Sequence, residues 1–174
     1  MDVKRVLVPV SGDKSDDEAI KLACSIAKKS KAKVIALHVI EVERVLPLDA
    51  RIDSDIRKAE QIFEHLERVA EEEEDYQIES ELLQAREAGP AIVEEAMKKG
   101  ADLIIMGFTY KKRFGQFSLG STLPYVLRNA QSRVLVYREP VILASPTEST
   151  PTQRKYEPVL DGSRRFFSIP DRSR

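Results

Sequence analysis

Short apolar runs alternate with amphipathic segments along most of this chain, and that alternation constrains its fold more than any other feature. Val6-Leu7-Val8-Pro9-Val10, Val34 to Ile40, Leu103-Ile104-Ile105-Met106 and Val134-Leu135-Val136-Tyr137 are nearly continuous in apolar residues. Runs of this kind belong to strands buried on both faces, as in parallel sheets covered by helices. A weaker strand with one more exposed face lies around Ile78, Ser80 and Leu82.

Helical periodicity fills the intervals. Ser15-Asp16-Asp17-Glu18 reads as a capping box, followed by Ala19, Leu22, Ala23, Ile26 and Ala27 at helical spacing, with Lys28, Lys29 and Lys31 at the end. Ile56, Ala59, Ile62, Phe63, Leu66, Val69 and Ala70 mark a longer helix, and Glu71 to Asp75 read as its solvated face. Gly89-Pro90 opens a third helix that Gly100 stops. Gly120-Ser121 begins a fourth, where Pro124 is tolerated in the first turn. The order βαβαβαβαβ predicts an α/β fold: a single doubly wound five-stranded parallel sheet, strand order 3-2-1-4-5, with right-handed crossovers.

That domain is expected over residues 1–139. From Pro140 the character changes: residues 140–174 hold five of the nine prolines, many Ser and Arg, and no helical period. This stretch reads as an irregular C-terminal tail, in which Phe166-Phe167 beside Arg164-Arg165 could anchor a protein partner.

Composition excludes several classes of function. The net charge of −1 argues against a nucleic-acid binder, which usually carries a basic excess. A single cysteine, Cys24, sits in an apolar helical stripe and reads as a buried core thiol, with no Cys/His cluster at metal spacing. No signal peptide is visible, and no apolar stretch approaches the roughly 20 residues that cross a bilayer. A cytoplasmic protein without membrane contact is the expectation.

In an open parallel sheet, ligands sit outside the carboxyl ends of the strands where the chain order reverses. The strand ends there are Pro9-Val10-Ser11-Gly12-Asp13 after the first strand, Val39-Ile40-Glu41 after the second, and Gly107 onward after the fourth. Gly120, Ser121 and Thr122 offer free amides, two hydroxyls and the positive end of a helix dipole, as a phosphate requires. Lys111, Lys112 and Arg113 could add charge. The same glycine and hydroxyls could equally make a plain turn and N-cap, and the sequence leaves both open.

Two motif likenesses fail. Gly115 to Thr122 has the spacing of a Walker A loop but carries Ser121 where the phosphate-binding Lys belongs. Ser11-Gly12-Asp13-Lys14-Ser15 departs in frame and in its second glycine from the loop of ATP pyrophosphatases. His38 in a strand and His65 on the long helix have no evident nucleophile or metal partner, so each reads as a structural or surface histidine. No catalytic constellation is present, and enzyme activity is unsupported.

Together, the strand Arg5 to Val10, Leu37-His38-Val39, Ala101 to Gly107, Gly120-Ser121 and Val134-Leu135-Val136 resemble the universal stress protein family over residues 3 to 139. The resemblance implies a dimeric stress or regulatory module that pairs through its last strand, Val134 to Tyr137. It further implies ATP or another adenine nucleotide at the carboxyl ends of the strands. Pro9, Val10, Ser11 and Val39 would then surround the base, and Gly107, Gly120, Ser121 and Thr122 the ribose and phosphates.

ATP-binding members carry G-x2-G-x9-G-[ST]. Gly107, Gly120 and Ser121 keep that spacing here, but the middle glycine is Tyr110, and Ser11 stands where the family usually has Asp. A tyrosine is strained where a loop needs φ > 0, and a serine brings no carboxylate. Both departures weigh against ATP and toward a ligand with fewer phosphates. The competing expectation is a protein-interaction module with a degenerate site, working through its dimer face and tail.

Overall fold

The computed structural model describes residues 3–109, 112–113 and 116–138, leaving aside the side chains of 112–113 and 116–117. Tyr110, Lys111 and the tail from Pro140, with Phe166-Phe167, lie outside the described residues. The elements are β1 (Arg5–Val10), α1 (Lys14–Ser30), β2 (Lys33–Glu41), α2 (Asp53–Glu74), β3 (Glu79–Ala85), α3 (Ala88–Lys99) and β4 (Leu103–Phe108). A two-residue antiparallel ribbon follows, β5 (Lys112–Arg113) with β6 (Gln116–Phe117), in a segment that the sequence pattern reads as loop. α4 (Thr122–Asn129) and β7 (Arg133–Arg138) complete the fold.

β1, β2, β3, β4 and β7 form one parallel sheet in the order β3-β2-β1-β4-β7. This is the expected 3-2-1-4-5 arrangement, with β7 as its fifth strand. Successive residues of β1 feed opposite layers: Val6 and Val8 pack with α1 and α2, through Ala19, Ile20, Ala23 and Leu66. Leu7 packs on the other side with Ile92, Ala96 and Val126 of α3 and α4. Burying both faces explains why β1 reads as a continuous apolar run. β3 is an edge strand whose residues are at best half-buried, and it begins only after Ile78 and runs on to Ala85.

The cap of α1 differs from the expected frame. The N-cap is Asp13, and the third helical residue, Asp16, reaches back to its backbone amide at 3.0 Å. Ser15, the expected cap, is instead 1% exposed inside the first turn, where its hydroxyl accepts a hydrogen bond from Thr109 Oγ1 at 3.1 Å. The acidic end of α2 is also more than a solvated face. Glu73 pairs with Lys21 at 2.6 Å, and Glu74 accepts from Ser25 Oγ at 3.2 Å, tying α2 to α1.

At the amino end of the sheet, the Lys4 and Arg5 amides donate to Asp102 Oδ2 at 2.8 and 3.0 Å. They hold that carboxyl below the ordinary carboxylate value and fasten β1 to the start of β4. Cys24 is fully buried, and burial pushes its thiol up to about 11, so it stays unreactive near neutrality. Among the described residues, no helix is long and apolar enough to cross a membrane, and no cluster of three metal-ligating side chains forms.

Candidate functional site

The chain leaves β1 for β2 and β3 on one side and returns to β4 and β7 on the other. That reversal opens a crevice between the carboxyl ends of β1 and β4. A cleft of about 470 Å³ occupies this place. Of the residues expected there, Pro9, Val10, Ser11, Val39, Gly107 and Thr122 line it. Leu37, Ile92, Met106, Phe108, Leu119 and Leu123 supply apolar wall. Gly120 and Ser121 are not among the lining residues; both are exposed immediately before α4.

The two retained glycines are needed for different reasons. Gly120 has φ +68°, while a Cβ built there would meet nothing within 4 Å. Its backbone conformation, not packing, calls for glycine. At Gly107 the reverse holds: a Cβ would lie 2.5 Å from the Ser15 carbonyl oxygen and 3.0 Å from its Oγ. Glycine at the end of β4 therefore lets the first turn of α1 lie directly on the strand. Ser121 takes the N-cap position of α4 with φ −94° and ψ −35°, and its side chain makes no cap hydrogen bond.

Apart from Glu41 at the end of the second strand, sequence reasoning missed the charged groups of the cleft. Asp16 is 3% exposed, and its Oδ2 accepts the amides of Ser11, Gly12 and Asp13 at 2.8, 2.7 and 3.0 Å. Gly12, at φ +86°, bends the loop so that three consecutive N–H groups converge, an arrangement that binds anions. The protein's own carboxylate occupies it. Burial pushes the Asp16 carboxyl up, against the opposing pull of the three amides. Glu41, the last residue of β2, does the same for α3: its Oε1 accepts the Ala88 amide at 2.7 Å, satisfying a first-turn donor.

Asp55 and Lys58 reach the cleft from the start of α2, three residues apart and so on one helix face. His38 also lines it, although its place in a strand reads as purely structural. Its Nδ1–H donates to the Val10 carbonyl at 2.8 Å, and its ring meets Phe63 edge-on at 6.4 Å. The neutral ring then carries its lone pair on Nε2. The local sign of Asp16 was an Asp13-x-x-Asp16 spacing that overlaps the Ser15-x-x-Glu18 one. Glu41 lies where the carboxyl end of the second strand was expected to face the ligand crevice, whereas Asp55 and Lys58 join the cleft solely through tertiary placement. His65, by contrast, pairs with Asp17 at 2.9 Å beside a smaller cavity of about 250 Å³ between α1 and α2.

Residues 2–138 match the Universal stress protein family. The chain belongs to that family. This universal stress protein is 36% identical over 143 residues to universal stress protein MJ0531 of Methanocaldococcus jannaschii, a match covering 79% of this chain and 83% of that one. Solved structures agree on the fold. The universal stress protein of Archaeoglobus fulgidus in complex with dAMP matches with a TM-score of 0.61 at 20% identity, covering 78% of this chain and 98% of that one. A universal stress protein in complex with cAMP matches with a TM-score of 0.59 at 22% identity, covering 79% and 98%.

Proposed function

We propose that this universal stress protein binds an adenine nucleotide with few phosphates in the cleft between β1 and β4, and acts as a dimeric regulatory module. The observation that carries the reading is the cleft itself, about 470 Å³ at the reversal of strand order, with apolar walls and a few convergent polar groups. Val10, Leu37, Val39 and Met106 offer a purine a largely apolar slot. The phosphate end is assigned to the start of α4, where Thr122 lines the cleft and the Thr122 and Leu123 amides have no partner among the described residues, an arrangement favourable to an anion.

The helix starts of α1 and α3 are less available. Asp16 and Glu41 already occupy amides there, so a longer phosphate chain would have to displace or face them. A short anion therefore fits better than a triphosphate. Proteins of the same fold solved with cAMP and dAMP are consistent with such a ligand. Calorimetric titration should give saturable binding of AMP in the micromolar range, tighter than ATP. No saturable binding of AMP, ADP or ATP at millimolar concentration would overturn the reading.

The dimer contact is assigned to β7. Both edges of the sheet lack a neighbour among the described residues, but they differ in chemistry. β3 carries Glu79 and Glu81, ion-paired to Lys33 and Lys99 at 2.8 and 2.7 Å. Charges on an edge discourage pairing with another chain. β7 offers Val134, Leu135, Val136 and Tyr137, with Val136 39% exposed. Sedimentation should report a dimer that Val136→Lys shifts toward monomer. A dimer indifferent to that charge would place the contact elsewhere.

A further inference from the structure

Glu41 holds a fixed acceptor in the cleft wall. Its Oε1 is committed to the Ala88 amide at 2.7 Å, and both residues line the cleft. That bond orients the carboxylate, while Oε2 makes no hydrogen bond among the described residues. Asp55 brings a second negative charge to the same cleft, and Lys58 is the one described cation lining it. An anionic part of a ligand would be repelled from Glu41, whereas an uncharged hydroxyl donor would be held by a charge-assisted bond.

Ser11 is a poorer candidate for that role, because its hydroxyl is directed to Asp13 Oδ2 at 3.3 Å. In α/β folds that bind nucleotides at this end of the sheet, an acid following the second strand can accept a ribose hydroxyl. We propose that Glu41 receives the ribose hydroxyls of the bound nucleotide and makes the cleft selective for nucleotides that carry them. This inference rests on the nucleotide reading above and specifies one contact within it.

The test compares AMP with 2′,3′-dideoxy-AMP by calorimetry on the full chain and on Glu41→Gln. The glutamine can still accept from Ala88 through its carbonyl, but presents an NH₂ donor where Oε2 was an acceptor. The wild-type chain should bind AMP about tenfold more tightly than the dideoxy analogue. Glu41→Gln should reduce that preference to about threefold or less, because the neutral amide can still donate to a hydroxyl but loses the charge assistance, while the dideoxy affinity stays within about twofold. Equal wild-type affinity for the two ligands overturns the inference without needing any variant to fold. So does an equal weakening of both by Glu41→Gln, which would make Glu41 a cap for α3 only. Binding of neither ligand would instead sink the nucleotide reading itself, an outcome distinct from saturable binding without diol preference.

Discussion

Replacing Asp16 by alanine is expected to lower stability by about 3 kcal/mol, or a melting temperature by about 10 °C. The substitution removes the acceptor for three partly buried amides, Ser11, Gly12 and Asp13, each worth about 1 kcal/mol when left without a partner. The α1 start would also lose a negative charge favourable to the helix dipole. Asp16→Asn separates hydrogen bonding from charge, because its carbonyl can still accept while its charge is gone. Burial raises the Asp16 carboxyl in the folded protein above its ordinary value. Its contribution is therefore greatest below the unfolded carboxylate pKa and declines as pH rises through the folded value. The advantage of wild type over Asp16→Asn in denaturant melts should accordingly be larger at pH 4 than at pH 7. An advantage that grows with pH would contradict burial as the dominant influence on this carboxyl.

Gly107→Ala is expected to cost about 2 kcal/mol, even with no ligand present. The added Cβ would sit 2.5 Å from a backbone oxygen and 2.8 Å from the Ser15 carbonyl carbon, neither of which is the end of a flexible side chain. Either α1 lifts from β4 or β4 bends away, disturbing the register in which Gly107 faces Tyr137 of β7. Gly120→Ala provides the contrast. It has open space for a methyl group, so only its φ of +68° resists, and the expected cost is about 1 kcal/mol. Chemical denaturation of the two variants checks the order. If Gly120→Ala proves the more damaging, then packing against Ser15 is not what requires glycine at the end of β4.

These roles bear on how much of the molecule could be read from its residues. β1, β2, β4 and the last strand were legible because burial on both faces leaves unbroken apolar runs. β3 was only half legible, since its edge position leaves Glu79 exposed and Glu81 half-buried. The α1 cap was misplaced because Ser15-x-x-Glu18 and Asp13-x-x-Asp16 both satisfy the local spacing. What decides between them is the distant contact of Ser15 with Thr109 and Gly107, which no local pattern records. Among the residues lining the cleft, the places of Pro9, Val10, Ser11, Val39, Gly107 and Thr122 follow from their positions at strand and helix ends. Those of Asp55 and Lys58 do not, because residues on α2 meet the cleft only once the sheet has formed.

The glycine frame that marks the loop from Gly107 to Ser121 thus combines two physical demands. Gly107 answers to a close helix–strand approach, and Gly120 to a backbone turn before α4. Each of the two glycines has its own local cause, so neither depends on the residue at the middle position of the frame.

The most direct test of the nucleotide cleft is amide chemical-shift mapping of the isotope-labelled full chain during titration with AMP. Saturable shifts should concentrate on Val10, Val39, Gly107 and Thr122, around the cleft between β1 and β4. Shifts confined to Lys14, Gln61 and His65, around the smaller cavity between α1 and α2, would contradict the account, as would no shifts at all.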